Sequence, residues 1–301
     1  MPELPDVVLY IEALRTRVAS QVLEHIRLAS PFVLRSVTPP ITAFAGQIVH
    51  DIRRIGKQIV FSFDGDLFLI IHLMVAGRLQ WKARSASIPG RIGLAAFDFP
   101  TGTLLLTEAG SKKRASVHAA HGKESLAGFN RGGMDVIGST AGNFAEALQR
   151  ENHTLKRSLT DPRLFSGIGN AYSDEILHRA RLSPLKLTSR ITDEEILRLH
   201  AAATSTLSEW TERLRLQAGE EFPSKVTAFR PEMAVHGRFG KPCPDCSSPV
   251  QRIVYAENEC NYCATCQTGG RLLADRAMSR LLKEDWPRSL DEWELHLDKR
   301  R

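Results

Sequence analysis

The sequence predicts an α+β protein of several domains: an N-terminal antiparallel β-sandwich with flanking helices, a helical domain, and a C-terminal β-hairpin ribbon pinned by cysteine knuckles. Three observations carry this. Short runs rich in branched residues alternate with turn signals from Gln21 to about Arg131, the spacing of an antiparallel sandwich or barrel. From about Gly142 to Gly219 the apolar pattern turns helical. All five cysteines fall between Cys243 and Cys266.

The elements follow in order. Asp6 to Ala19 reads as a helix, with Pro5 as a first-turn residue and Val7, Ile11, Leu14 and Val18 on one apolar face. In the sandwich segment, Gln58 to Phe63 and Leu67 to Leu73 flank an Asp64-Gly65 turn, and Ala95 to Phe99 and Thr103 to Thr107 flank Thr101-Gly102. Arg131-Gly132-Gly133 is a domain exit. Thr160-Asp161-Pro162 reads as a helix start, and Thr192 with Glu195 forms a capping box for a long helix through Ile196, Leu199, Ala203, Leu207 and Trp210, closed by Gly219. Residues 220–238 lack periodicity and read as linker and loop. The expected domains are therefore 1–132, 142–222 and 235–285.

Composition narrows the class. With 43% hydrophobic and 25% charged residues the 301-residue chain has an ordinary globular composition. Its longest apolar stretch, Leu67 to Val75, is too short to span a bilayer, and MPELPDVV lacks the basic and apolar regions of a secretory signal. A net charge of +6 permits a polyanionic partner.

Three sites stand out. Cys243-Pro-Asp-Cys246 and Cys263-Ala-Thr-Cys266 are C-x2-C knuckles separated by 16 residues. That spacing fits one structural Zn2+ held by four thiolates, with no open coordination position for catalysis. Cys260 also stands at C-x2-C spacing from Cys263, but would leave only 13 residues between knuckles and is taken as spare. Gly167-Ile-Gly169-Asn170 joins two helical stretches; it is either a plain corner or an anion cradle, in which Asn170 caps the helix or donates to phosphate and Lys156 and Arg157 add charge. Finally, Pro2 follows the initiator Met. Removal of Met1 would leave a secondary amine that titrates near neutrality and can form an iminium, with Glu3 beside it as a proton donor.

Taken together these motifs resemble the formamidopyrimidine-DNA glycosylase and endonuclease VIII (Fpg/Nei) family, in the family's order along nearly the whole chain. Pro2-Glu3-Leu4-Pro5 is similar to its N-terminal signature, Lys57 to its sandwich lysine, and His72-Leu73 to the opening of its intercalation-loop strand. Asp161 through Glu175 resembles its helix-two-turns-helix, and Val235 through Cys243 with Tyr262 through Gln267 resembles its zinc finger. The resemblance implies a base-excision-repair DNA glycosylase with lyase activity, acting as a monomer on damaged or abasic DNA in a bacterial-type, nucleoid-associated cytoplasmic setting. Pro2 would attack C1′, Glu3 would move the proton, Lys57 would serve the reacting centre, and β- and δ-elimination would nick the strand. His72, Lys113, Arg114, Lys156, Gly169, Asn170 and Asn258 would line a kinked duplex with its nucleotide flipped out.

Departures from the family pattern are specific. Asn258 occupies the place of a finger arginine, with Arg252 as a candidate substitute, and Asp6 and Val8 stand where glutamates are usual. Met74 or Val75 and Lys112-Lys113-Arg114-Ala115 occupy the void-filling regions, without an aromatic wedge. They motivate a rival, a DNA-binding protein on the same scaffold with reduced catalysis. A second rival is a zinc-ribbon protein acting on RNA or in transcription.

Overall fold

A computed structural model of the chain describes residues 1–223, 226–227, 229–255, 258–274, 280 and 287–292. Residues 256–257, 275–279 and 281–285 of the expected third domain, and 224, 225 and 228 of the expected linker, lie outside these. The described chain forms two compact units, Met1–Gly132 with Glu209–Ala228, and Gly133–Ser208 with Phe229–Arg301.

In the first unit, α1 (Leu4–Val18) begins two residues earlier than its apolar spacing suggests, because Glu3 is the cap. The Glu3 carboxylate accepts the Asp6 backbone N–H, and the Asp6 carboxylate accepts the Glu3 N–H at 3.0 Å, a reciprocal cap that Pro5 in the first turn reinforces. The strands that follow are β1 (Val22–Leu23), β2 (His25–Leu28), β3 (Gln47–Ile55), β4 (Gln58–Phe63), β5 (Leu67–His72), β6 (Gly77–Lys82), β7 (Gly93–Phe99), β8 (Gly102–Glu108) and β9 (Ser116–His121). They pair antiparallel into two sheets, ordered β1-β3-β4-β5-β9 and β2-β7-β8-β6.

Register explains the core. Ile59 faces Ile71 and Phe61 faces Leu69 across β4 and β5, and Ile71 faces Val117 on β9. Alternate residues on one face of this sheet join Leu79, Ala95, Phe97, Leu104 and Leu106 of the other sheet and Val7, Tyr10, Ile11 and Leu14 of α1 in one buried cluster, the sandwich expected from period-2 patterning. β7 and β8 are buried along their whole length. Gly77 closes the turn after β5: a Cβ there would stand 2.3 Å from the Leu73 carbonyl oxygen that its N–H binds at 2.9 Å. Only glycine permits that approach, and Met74 (φ 51°) and exposed Val75 form the resulting tight tip.

The second unit contains α2 (Ala141–Gln149), α3 (Leu155–Thr160) and α4 (Asn170–Arg179). Here one expectation is corrected: Thr160-Asp161-Pro162 ends α3 rather than starting a helix. Asp161 is its C-cap, the Asp161 carboxylate accepts the Arg163 N–H at 2.8 Å, and the Leu164 and Phe165 N–H groups fold onto the Asp161 carbonyl. The same residue types that cap a helix also close an Asx turn, and Gly167 (φ 84°) reverses the chain before α4. The long helix α5 (Asp193–Ala218) carries the expected capping box, Thr192 N–H to Glu195 at 2.9 Å and Glu195 N–H to Thr192 at 3.3 Å, and ends at Gly219 (φ 55°). The division between units falls within α5. β10 (Gln251–Tyr255) and β11 (Asn258–Tyr262) form the antiparallel hairpin, followed by α6 (Ala264–Thr268). Among the described residues, no helix is long and apolar enough to cross a membrane.

Leu14 is fully buried between α1 and the sandwich. Leu14→Ala is expected to destabilise the first unit by about 2–5 kcal/mol, read as a lowered urea midpoint by circular dichroism. An unmoved midpoint would contradict this packing.

Candidate active site and metal centre

The first site gathers at the chain start. Pro2 and Glu3 are buried, Glu3 to 1% exposure, because α1 begins immediately after them and sinks its first turn into the core. The α-amino group of Met1 is held below its ordinary value of 8.0, first by burial and also by the positive charges of Arg78 and Lys57, while Glu3 and Asp6 pull it upward. Lys57 sits in the β3–β4 turn and its charge also bears on His72 at the end of β5. Burial foremost, then Lys57 and His118, push His72 down to about 4, so its imidazole is neutral at physiological pH. The chain start, Lys57 and His72, far apart in sequence, are thus linked electrostatically: Lys57 bears on both the amine and His72, and Arg78 and Asp6 also bear on the amine.

The loop after β8 is organised from within. The buried Glu108 carboxylate accepts the N–H groups of Arg114 at 2.8 Å and Ala115 at 3.0 Å, and the Lys113 ammonium donates to the Glu108 carbonyl. Lys113 and Arg114 thus stand on a pinned, exposed loop rather than on a loose charge run.

In the second unit the chemistry centres on α4. Gly169 is its N-cap and Asn170 its first residue, so Asn170 does not cap; its side-chain amide donates to the Glu259 carbonyl of β11 at 2.8 Å. Lys156, expected at a phosphate, instead donates to the Asn170 carbonyl at 2.6 Å, Ser173 Oγ at 2.8 Å and Asp174 Oδ1 at 2.6 Å. An ammonium has three protons, and all three are engaged. Asp174 Oδ2 accepts from His236 Nδ1 at 2.8 Å and from the Asn261 N–H at 3.1 Å. Glu175 accepts three successive N–H groups, Ala234 at 2.7 Å and Val235 and His236 at 2.9 Å. Arg252 lies 4.3 Å over the Phe239 ring and pairs with Glu259 at 3.6 Å, opposite Asn261, whereas Asn258 is opposite Tyr255.

Cys243, Cys246, Cys263 and Cys266 converge so that their sulfurs all lie within 4.8 Å of one another, and the set can hold a metal ion. Two of the sulfur pairs, 4.0 Å for Cys243–Cys266 and 3.4 Å for Cys246–Cys263, bracket the roughly 3.8 Å edge of a tetrahedron with about 2.3 Å metal–sulfur bonds. Cys260 is buried separately among Ile253, Tyr262 and Leu272, as expected of a spare thiol.

Residues 1–115 match the model of the formamidopyrimidine-DNA glycosylase N-terminal domain, and residues 138–216 that of the formamidopyrimidine-DNA glycosylase H2TH domain. The formamidopyrimidine-DNA glycosylase of Thermus thermophilus is 32% identical over 286 residues, spanning 90% of this chain and 100% of that protein. This chain belongs to the formamidopyrimidine-DNA glycosylase family. The crystal structure of the MutM (Fpg) protein from Thermus thermophilus matches with a TM-score of 0.74 at 28% identity, over 88% of this chain and 98% of that one. An uncharacterised formamidopyrimidine-DNA glycosylase-like protein of Mycobacterium tuberculosis is 39% identical over 151 residues, half of this chain and 94% of its own length.

In this family member, sequence reasoning noted Asp6 only as a departure from the family pattern and assigned no role to Arg78, Asp174, Glu175, His178 and His236. The signal for α4 was present in Asp174 and His178, four residues apart and so on one helix face, but nothing in the sequence named their partners. Glu175→Gln replaces a triple acceptor with a group that has one acceptor oxygen. Amide exchange at Ala234, Val235 and His236 is expected to accelerate by about tenfold or more, measured by hydrogen–deuterium exchange; unchanged protection would rule out the clamp.

Proposed function

We infer that this chain is a base-excision-repair DNA glycosylase that also nicks abasic sites, with the amine at the mature chain start as nucleophile. The observation that carries the reading is the buried start of the chain, where an amine is kept below its ordinary titration range beside Glu3, Asp6, Lys57 and Arg78. With Met1 removed, the Pro2 nitrogen takes that role. Its lone pair attacks C1′ of the damaged nucleotide, the glycosidic bond breaks, and Glu3 assists the proton transfer that lets the base leave. The C1′–O4′ bond then opens, with a proton delivered to O4′, to give the iminium; this acidifies C2′, whose lost proton lets the 3′-phosphate leave by β-elimination, and a further proton loss lets the 5′-phosphate leave by δ-elimination.

Reaching C1′ requires the nucleotide to leave the stack. Lys57, His72, Lys113 and Arg114 in the first unit, and Gly169, Asn170 and Asn258 in the second, are proposed to hold the kinked backbone, with Lys156 serving as an internal strut for Asn170. The four-cysteine set is proposed to hold one structural Zn2+: four thiolates complete the coordination sphere and leave no site for substrate. Damaged or abasic DNA is the partner, and the working form is proposed to be a monomer in the cytoplasm.

Borohydride reduction on abasic-site DNA should trap a covalent adduct with the parent chain and none with Pro2→Gly; an undiminished adduct in that variant would exclude the chain start. The burial and the cations that lower the titration of the chain-start amine should act on the Pro2 nitrogen too, so trapping should rise with pH as that nitrogen loses its proton and then stay level, with a midpoint below that of an exposed N-terminal proline in a short peptide. A midpoint at or above the peptide's would contradict the role of burial. Cys263→Ser should lower both zinc content and DNA affinity; zinc content equal to the parent would contradict the four-cysteine assignment.

A further inference from the structure

His178 takes no part in the chemistry above, yet it is among the most buried polar residues, at 3% exposure. It lies on α4 one turn beyond Asp174, on the helix face that receives the finger. Its Nε2 is 3.2 Å from Cys243 Sγ, which belongs to a residue 2% exposed, and 4.0 Å from an Asp245 carboxylate oxygen. A metal-bound thiolate only accepts hydrogen bonds, so the proton between these atoms belongs to the imidazole.

Four thiolates around Zn2+ leave a net charge of about −2. Placing that charge in a buried setting is costly unless donors face the sulfurs, and such donors also fix the direction of the ligand. We infer that His178 is an outer-sphere donor to Cys243, steadying that thiolate in the metal centre and binding the first knuckle to α4. The inference rests on the zinc reading proposed above. It adds an attachment at the first knuckle to those α4 already makes to the finger, with His178 four residues beyond Asp174, which binds the hairpin, on one face. The competing geometry makes His178 a ligand: His178, Asp245 and Cys266 also lie within 4.8 Å of one another. Four cysteines already complete a tetrahedron, so the outer-sphere role is favoured.

The test compares the full-length zinc-loaded chain with His178→Phe, which keeps a ring and removes the N–H, and with His178→Gln, whose amide can donate. Zinc transfer to an excess of chromogenic chelator should be about 10- to 100-fold faster in the Phe variant, the range for lost outer-sphere partners, and close to the parent rate in the Gln variant. A Phe variant that takes up no zinc while the Gln variant does would support the donor role equally. Parent-like release from the Phe variant, or equal acceleration or loss of zinc in both variants, would overturn the inference in favour of ring packing. Cobalt-loaded parent and Phe variant should share the same thiolate charge-transfer and d–d bands; a shift on losing the imidazole would make His178 a ligand and overturn it too. A parent chain that binds no zinc would instead remove the zinc reading itself.

Discussion

The reciprocal cap between Glu3 and Asp6 fixes where the first helix begins. Both carboxylates are buried at about 1% exposure and each satisfies the other residue's backbone N–H. Burying two carboxylates without such partners would be strongly unfavourable. Because α1 starts at Leu4 and buries Leu4 and Val7, the preceding residues have no slack. The first turn of α1 therefore fixes the backbone at Glu3, next to the nitrogen proposed as nucleophile.

Around that fixed point, the charges have opposing effects on the amine. Burial, Arg78 and Lys57 favour its neutral form, and Glu3 and Asp6 favour its protonated form. The outcome is a lowered titration, because burial is the largest effect. Burial foremost, with the same Lys57 charge and His118, keeps His72 neutral. A neutral imidazole offers one donor and one acceptor, not a second cation.

The second unit uses buried carboxylates differently. Asp174 and Glu175 are adjacent on α4, yet each has its own set of donors: Lys156, His236 and the Asn261 N–H for the first, three consecutive backbone N–H groups for the second. Charge-assisted bonds of this kind are about twice as strong as neutral ones. They hold the entry to the finger, its hairpin and, through His178, its first knuckle against a single helix of ten residues. Lys156 is a support for Asn170 in this network, and the Asn170 amide in turn donates to the Glu259 carbonyl of the hairpin.

Local pattern and spacing determined much of this protein on their own. Period-2 apolar runs required a sandwich, since only one register buries Ile59, Phe61, Leu69 and Ile71 together. The capping box at Thr192 and Glu195 and the paired C-x2-C knuckles were legible for the same reason: each is a contact between residues a few positions apart. The ordered motifs from Pro2-Glu3 to Cys266 made the family legible as well. Tertiary structure decided what depends on partners distant in sequence. Thr160-Asp161-Pro162 is locally compatible with a helix start or an Asx turn, and the chain reversal at Gly167 selects the turn. Lys156 has a cation's reach in either setting, but Asp174, Ser173 and the Asn170 carbonyl lie closer than any solvent-facing target. Arg78 bears on the chain start, and His178 meets Cys243, only because folding brings together charges and donors that the sequence keeps far apart.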